Sequence, residues 1–422
     1  MDSSTNVIRL RQPHDLDDPL TEVLRAGARR LLAQAVEIEA EAFLAAMADL
    51  RLPDGRARLV RHGHGPEREI ATGIGPVPVA RVKIRDRGAT GSEDRVRFTS
   101  TLLPKWARRT RSLDALLPVL YLRGVSTGDF QEALSALLGK DAPNLSPSVV
   151  TRLTATWADE YARWQGRDLS ARRYVYVWAD GVYLQARMEE HAECMLVLIG
   201  ATPEGRKELV GFQVGVRESA QSWRELLVDV KRRGLGLAPQ IAVGDGALGF
   251  WRALDEVYPG TRHQRCWLHK SANVLNKVPK SVQRAMRADL REIHGAPTRA
   301  RAEVALDVFV EKYGAKYVRA AECLMKDREA LLAFYDLPAE HWDHLRTTNP
   351  IESVFATVRH RTVRTKGALS PTTATLMVFK LVMAAARTWR RLKGENQLPK
   401  VVAGVTFRDG NEVITSPANR AA

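Results

Sequence analysis

Between residues 174 and 268 the apolar residues alternate between short extended runs and amphipathic stretches in one order. That order limits the possible folds more than any other feature of the chain. Residues 174–179 (Tyr-Val-Tyr-Val-Trp-Ala), 195–199 and 208–214 are rich in β-branched and aromatic side chains, with Thr202-Pro203-Glu204-Gly205 as a turn between the last two. They predict an antiparallel meander. The spacing then predicts a helix over 223–232 closed by Gly234, a strand over 240–243, a helix over 248–257 stopping before Pro259-Gly260, and a last strand over 263–268. In a β-β-β-α-β-α-β chain the first and fourth strands lie side by side, as in an RNase H-like α/β core with a mixed five-stranded sheet.

This adjacency gives meaning to three scattered acids. Asp180 follows the first strand in Trp-Ala-Asp-Gly, Asp245 follows the fourth in Val-Gly-Asp-Gly, and Glu352 lies in Thr-Thr-Asn-Pro-Ile-Glu-Ser. Each has a plain structural reading. Asp-Gly is a strong turn former, and Asn349 with Pro350 and Glu352 has the form of a helix capping box. Together they have a second reading, because the fold brings two of the strand ends together and Glu352 opens a helix that can pack beside them. Along that helix Ile351, Val354, Phe355 and Val358 form the buried stripe, leaving Glu352 at the rim. Three converging carboxylates suit a pair of Mg²⁺ ions, with Mn²⁺ as a substitute, and activate water or a hydroxyl for attack on a phosphodiester. Without metal they repel, so raised pKa values are expected.

Charge agrees with a polyanionic partner. The chain has 64 basic and 49 acidic residues in 422, a net +15, which favours double-stranded DNA through counterion release. Three cysteines without framework spacing suit a reducing compartment. The polar, acidic start is no signal peptide, and no apolar run reaches the roughly 20 residues of a membrane helix. The expectation is a cytoplasmic, nucleoid-associated protein with no membrane partner.

The remainder is mostly helical. Residues 1–55 read as a helical segment, with one or two amphipathic helices over 16–50, and 56–100 as a basic β-hairpin or arm. Residues 101–165 form a helix-turn-helix region, with helices over 127–138 and 147–157. Ser146-Pro147 starts the second helix, which offers Ser148, Thr151 and Arg152 to a DNA groove, supported by Lys105, Arg108, Arg109 and Arg111. The core then spans 172–270, followed by an all-α insertion over 271–346 with helices at 285–293, 299–313 and 324–335. Helices at 351–363 and 371–392 close the core over 347–393, and a loosely structured tail covers 394–422. The basic run carrying Arg359, Arg361, Arg364 and Lys366 suits phosphate. Cys266 and His269 have zinc-like spacing but lack the other two ligands of a structural site; a buried cysteine with a hydrogen-bonded histidine fits better.

Five stretches, 122–138, 179–183, 243–251, 264–277 and 347–358, carry a resemblance over nearly the whole chain. The sequence resembles the Mutator-type insertion-sequence transposases of bacteria, the insertion sequence 256 family of the DDE superfamily. The resemblance implies an RNase H-like core interrupted by helices between the second aspartate and the glutamate. It assigns Asp180, Asp245 and Glu352 to the catalytic triad, and Cys266 with His269 to the family's cysteine-histidine signature. It also implies an amino-terminal region, up to about residue 160, that binds terminal inverted repeats. The expected protein binds the ends of its own element and catalyses strand cleavage and strand transfer, working as a homodimer or larger assembly because two ends need two active sites. Two alternatives are an RNase H-type nuclease or resolvase without strand transfer, and a non-catalytic DNA-binding regulator.

Overall fold

The computed structural model describes residues 19–73, 75–89, 91, 93–103, 108–110, 113, 120, 148–184, 193–215, 218–246, 248–352, 355 and 371–414. The chain divides into two compact units, residues 1–153 and 154–422.

In the first unit, α1 (Pro19–Ala46) is one helix, and four strands follow: β1 (Leu59–His64), β2 (Arg68–Thr72), β3 (Gly75–Val79) and β4 (Val82–Asp86). They do not form the single hairpin expected. β2 pairs with β3 and β1 with β4, as two antiparallel ribbons. Val36 and Ala40 of α1 pack with Ile70, Val77, Val79 and Val82 in a small core, so the alternating valines straddle two strands. Arg108 and Arg109, read as part of a helical stretch, are instead extended: Ala71 N–H donates to Arg108 O at 2.9 Å and Thr110 N–H to Ala71 O at 2.9 Å. The edge of β2 captures this backbone and satisfies its hydrogen bonds in place of a helix. The proposed helix over 127–138 and the start at Ser146-Pro147 lie outside the described residues. Ser148–Gln165 is a helix, α2, longer than expected.

The second unit holds the mixed sheet, with β5 (Tyr176–Leu184), β6 (Glu193–Ala201), β7 (Lys207–Gly215), β8 (Ile241–Gly244) and β9 (Arg262–Arg265). The order is β7-β6-β5-β8-β9. β5 runs antiparallel to β6 and parallel to β8, so the first and fourth strands of this sheet are neighbours as the sequence requires. Side-chain alternation explains helices on both faces. Val177, Ala179, Leu198 and Val210 face α3 (Ala220–Arg232) and α4 (Leu248–Val257), meeting Trp223, Leu226 and Leu254 in the main core. On the other face Phe212 meets Tyr161 of α2 and Phe379 of α11 (Pro371–Ala386), with ring centroids at 5.9 and 6.4 Å. Each buried aromatic of this layer contributes on the order of 2–3 kcal/mol of hydrophobic burial.

Two boundaries depart from the sequence reading in ways that shape the site. β5 does not stop before Asp180; it continues through the Asp-Gly pair, with Asp180 opposite Val197 and Gly181 opposite Leu196. The last strand ends at Arg265, and Trp267–Leu275 is a helix, α5, capped by Cys266. Its first amide is taken by the carbonyl of Arg346 at 2.8 Å, which removes Trp267 from the sheet.

Beyond α5 the described residues up to 352 contain helices and turns: α6 (Lys280–Gly295), α7 (Arg299–Tyr313), α8 (Val318–Met325), α9 (Arg328–Leu332) and α10 (Trp342–Leu345). The single helix expected over 324–335 is broken, because Asp327 leaves the helical path to meet Lys270 and Arg265. α11 ends at Ala386 rather than 392. The tail is not loose up to 414: α12 (Leu398–Val402) and a short hairpin of β10 (Phe407–Arg408) and β11 (Asn411–Glu412) bury Leu398 and Phe407. Among the described residues no helix is long and apolar enough to cross a membrane.

Candidate active site

Strand pairing places the two aspartates. Ala179 lies opposite Gly244 in the last rung between β5 and β8, so Asp180 and Asp245 are the next residues on adjacent parallel strands, whose axes run about 4.8 Å apart. Tyr176, Trp178 and Asp180 share one face by alternation. The first two reach the segment before Glu352: Tyr176 Oη lies 2.7 Å from His341 Nδ1, and Trp178 Nε1 donates to His344 O at 2.8 Å. β5 thus carries Asp180 on the face that holds the chain leading into Glu352.

The helix of Glu352 starts at 349, one residue earlier than the capping-box reading places it. Its cap is Thr348 rather than Asn349: the Thr348 carbonyl accepts from the amides of Ile351 and Glu352 at 2.8 and 3.1 Å. The fully buried Thr348 hydroxyl does not cap an amide. It lies 3.2 Å from Glu352 Oε1 and 3.5 Å from Cys266 Sγ, while Thr348 N–H points at the same sulfur at 3.4 Å. Cys266 N–H in turn donates to Gly244 O at 2.8 Å. One cysteine therefore ties the residue before Asp245 to the cap that fixes Glu352.

His269, one turn into α5, completes the link, with Nε2 at 3.9 Å from Glu352 Oε1. Hydrogen bonding to Cys266 and the charges of Asp180 and Asp245 outweigh desolvation and push its pKa up to about 9. Burial pushes Asp180 up to about 7; Asp245 and Glu218 add to the rise, while His269 and the Gly181 amide oppose it. The rise at Asp180 is thus mainly an effect of burial, with repulsion from neighbouring acids as the smaller contribution. Among the described residues, the set of three donors whose atoms all lie within 4.8 Å of one another is Cys266, His269 and Glu352. The aspartates follow neighbouring strand ends, and the charges of both act on His269, the residue that lies beside Glu352.

Gly181 lies within β5, whereas Gly246 sits in the bend that leads from β8 to α4. At Gly181 a Cβ would come within 3.0 Å of Glu218 Oε2 and 3.2 Å of Cys194 Sγ; at Gly246 it would come within 2.6 Å of Arg265 Nη2. Each glycine lets a charged side chain cross the backbone beside an acid. Arg265 Nη1 bonds to the Asp245 carbonyl, which also accepts from Trp251 Nε1 at 2.9 Å. Glu218 is an acid the sequence reading passed over. Its Oε1 accepts from Trp223 Nε1 at 2.9 Å, and burial raises its pKa. Only its position five residues before a tryptophan hinted at it.

The residues assigned to DNA contact are less completely described. Arg108 is exposed and Arg109 half-buried; Lys105, Arg111, Arg359, Arg361, Arg364 and Lys366 lie outside the described residues. Ser148, Thr151 and Arg152 belong to α2, and their side chains are likewise outside that description.

Comparison with known proteins extends these observations. The family described as "Transposase, Mutator family" matches residues 2–391. The transposase for insertion sequence element IS6120 of Mycolicibacterium smegmatis is 49% identical over 298 residues, covering 71% of this chain and 92% of the relative. That for element IST2 of Acidithiobacillus ferrooxidans is 52% identical over 287 residues, covering 66% and 95%. A more distant relative is the transposase for element IS256 in transposon Tn4001 of Staphylococcus aureus, 25% identical over 327 residues, covering 76% and 80%.

Proposed function

Because the chain belongs to the Mutator family of transposases, we propose that it binds the terminal inverted repeats of an insertion sequence and cuts and joins DNA at Asp180, Asp245 and Glu352. The observation that carries this reading is the pairing of Asp180 and Asp245 on adjacent strand ends, with Glu352 tied to the same strand through Thr348 and Cys266. The donors fit a hard divalent cation: a buried, electrostatically strained carboxyl beside a second one lacks the charge that Mg²⁺ supplies. Asp180 and Asp245 would hold two ions and Glu352 one of them. When bound, the metal lowers the pKa of water or of a 3′-hydroxyl and neutralises charge on the phosphodiester.

The chain's own groups do the rest. Thr348 holds one Glu352 oxygen and so sets the direction of that carboxylate. His269, protonated at neutral pH, places a positive charge beside Glu352 and damps repulsion among the acids. Trp251 and Arg265 fix the backbone at Asp245, which limits its swing when DNA enters. This core is read as RNase H-like, with the helices between β9 and Glu352 as an insertion. The protein would act on DNA in the cytoplasm as a homodimer or larger assembly.

A pre-cut duplex bearing a free 3′-hydroxyl at an element end separates this reading from a nuclease. With Mg²⁺ and target DNA the protein is expected to give joined products; hydrolysis alone would leave a nuclease, and sequence-specific binding without metal-dependent cleavage would leave a regulator.

The site also predicts a pH dependence. The fold favours neutral Asp180, so its carboxyl is largely protonated below pH 7 and charged above it. A cation must displace that proton. The half-saturating Mg²⁺ concentration for cleavage should fall by up to about tenfold per pH unit as pH rises toward 7, then level off. The native acid holds its proton where the unfolded one has lost it, so stability without metal declines between about pH 4 and 7. Initial rates across a Mg²⁺ series at several pH values check this; a half-saturation point independent of pH would remove Asp180 from the metal site.

A further inference from the structure

We infer that the solvent face of α6 is a docking surface for the phosphate backbone of duplex DNA. The helix buries Met286, Leu290 and Ile293 on one side. On the side turned to solvent Lys280, Arg284, Arg287 and Arg291 recur at i, i+4, i+7 and i+11, a single stripe by helical geometry. Lys277, just upstream, extends it. All five are exposed and, among the described residues, none makes an ion pair, whereas cations close by in the same bundle do: Lys312 with Asp289 at 2.8 Å, Arg328 with Asp307 at 3.0 Å, Arg299 with Glu303 at 3.1 Å.

Like charges three and four residues apart destabilise a helix, and surface helices commonly intersperse acids to avoid this. Here the acids of the helix, Asp289 and Glu292, fall off the stripe. The repulsion is relieved by an extended anion rather than a small one. From Lys280 to Arg291 the stripe spans roughly 16 Å at the helical rise, and each strand of a duplex places a charge about every 3.4 Å of its axis. A single phosphate could reach one or two of these groups; a duplex strand could meet all of them.

The stripe is also tied to the candidate active site. The carbonyl of His294, at the end of α6, accepts from Arg346 Nη1 at 2.9 Å, and the His294 ring lies 5.3 Å from that of Trp267. Arg346 and Trp267 flank the Thr348–Cys266 link. The cations thus begin one turn from residues that hold the site together and lead away from it along α6. This inference rests on the transposase reading and deepens it, by giving these helices the task of holding the flanking duplex.

The test uses the full chain and a K280Q/R284Q/R287Q/R291Q variant; glutamine matches lysine and arginine in helix propensity. Binding to a duplex oligonucleotide of arbitrary sequence is titrated over a range of salt. The slope of log affinity against log salt should shrink by about three to four, on any sequence alike, while the cleavage rate at saturating DNA stays within about twofold. A control removing Lys312, Arg328 and Lys400, each paired with its own acid, Asp289, Asp307 and Glu412, should leave the slope unchanged. An unchanged slope in the quadruple variant, with wild-type cleavage intact, overturns the docking surface alone. A slope change seen only with single-stranded RNA overturns it in favour of that partner. Failure of the wild-type protein to bind duplex DNA at all overturns both this inference and the reading beneath it.

Discussion

Replacing Asp180 by Asn is expected to lower Mg²⁺-dependent cleavage by at least about a thousandfold while leaving duplex binding nearly unchanged. Asn keeps the size of the side chain and an oxygen for the Gly181 amide, which now donates to Asp180 Oδ1 at 2.9 Å. What it removes is a negative charge that the fold tolerates poorly: the residue is only 8% exposed, and burial pushes its carboxyl up to about 7. Above pH 7 and without metal, the Asn variant should therefore melt at or above the wild-type temperature. This combination separates a ligand from a structural acid. A residue needed only for folding would lose stability along with activity; a metal ligand loses activity and relieves strain. Cleavage within about tenfold of wild type would exclude Asp180 as a ligand.

The order of strands was legible because each run carries its own period and its own stops. Leu248–Val257 ends before Pro259-Gly260, and Arg299–Tyr313 begins at Thr298, whose hydroxyl accepts from the Arg301 amide. Both match the expected ranges. What failed was non-local. Asp180-Gly181 has the composition of a turn, yet it continues a strand because β6 pairs on one side and Glu218 fills the space beside Gly181. The cap of the Glu352 helix was misplaced because Thr348 is chosen by Cys266, 82 residues away. The tail appeared loose because its anchors are distant: Gly394 O lies 2.8 Å from His341 Nε2, and Gly410 O accepts from the Ala339 amide at 3.1 Å. Among the candidate-site residues the three acids could be singled out from sequence because each lies in a short motif. Thr348, Arg265 and Glu218 were not, since each gains its role only from what it touches.

Asp327→Ala is expected to be the most destabilising of the substitutions considered, by about 3–5 kcal/mol. Asp327 bonds to Lys270 Nζ and lies 3.2 Å from Arg265 Nη2; the two cationic side chains are 4% and 10% exposed. Removing the carboxylate leaves two like charges with little water between them. The Cys323 carbonyl, 2.8 Å from Lys270 Nζ, would be the main remaining acceptor for that ammonium. A fall in melting temperature of roughly 10 °C should follow for a unit of this size. Adding Lys270→Met removes one of the orphaned charges and should restore part of the loss, which plain loss of packing would not allow. The same network also bears on the site, because Arg265 holds the carbonyl of Asp245. At a temperature where both proteins remain folded, the Asp327→Ala variant should need more Mg²⁺ for half-maximal cleavage, with DNA affinity retained. Thermal melts and a Mg²⁺ titration decide the matter: a melting temperature within about 2 °C of wild type would show that solvent, not Asp327, neutralises these cations, and Arg265 would then hold the strand end unaided.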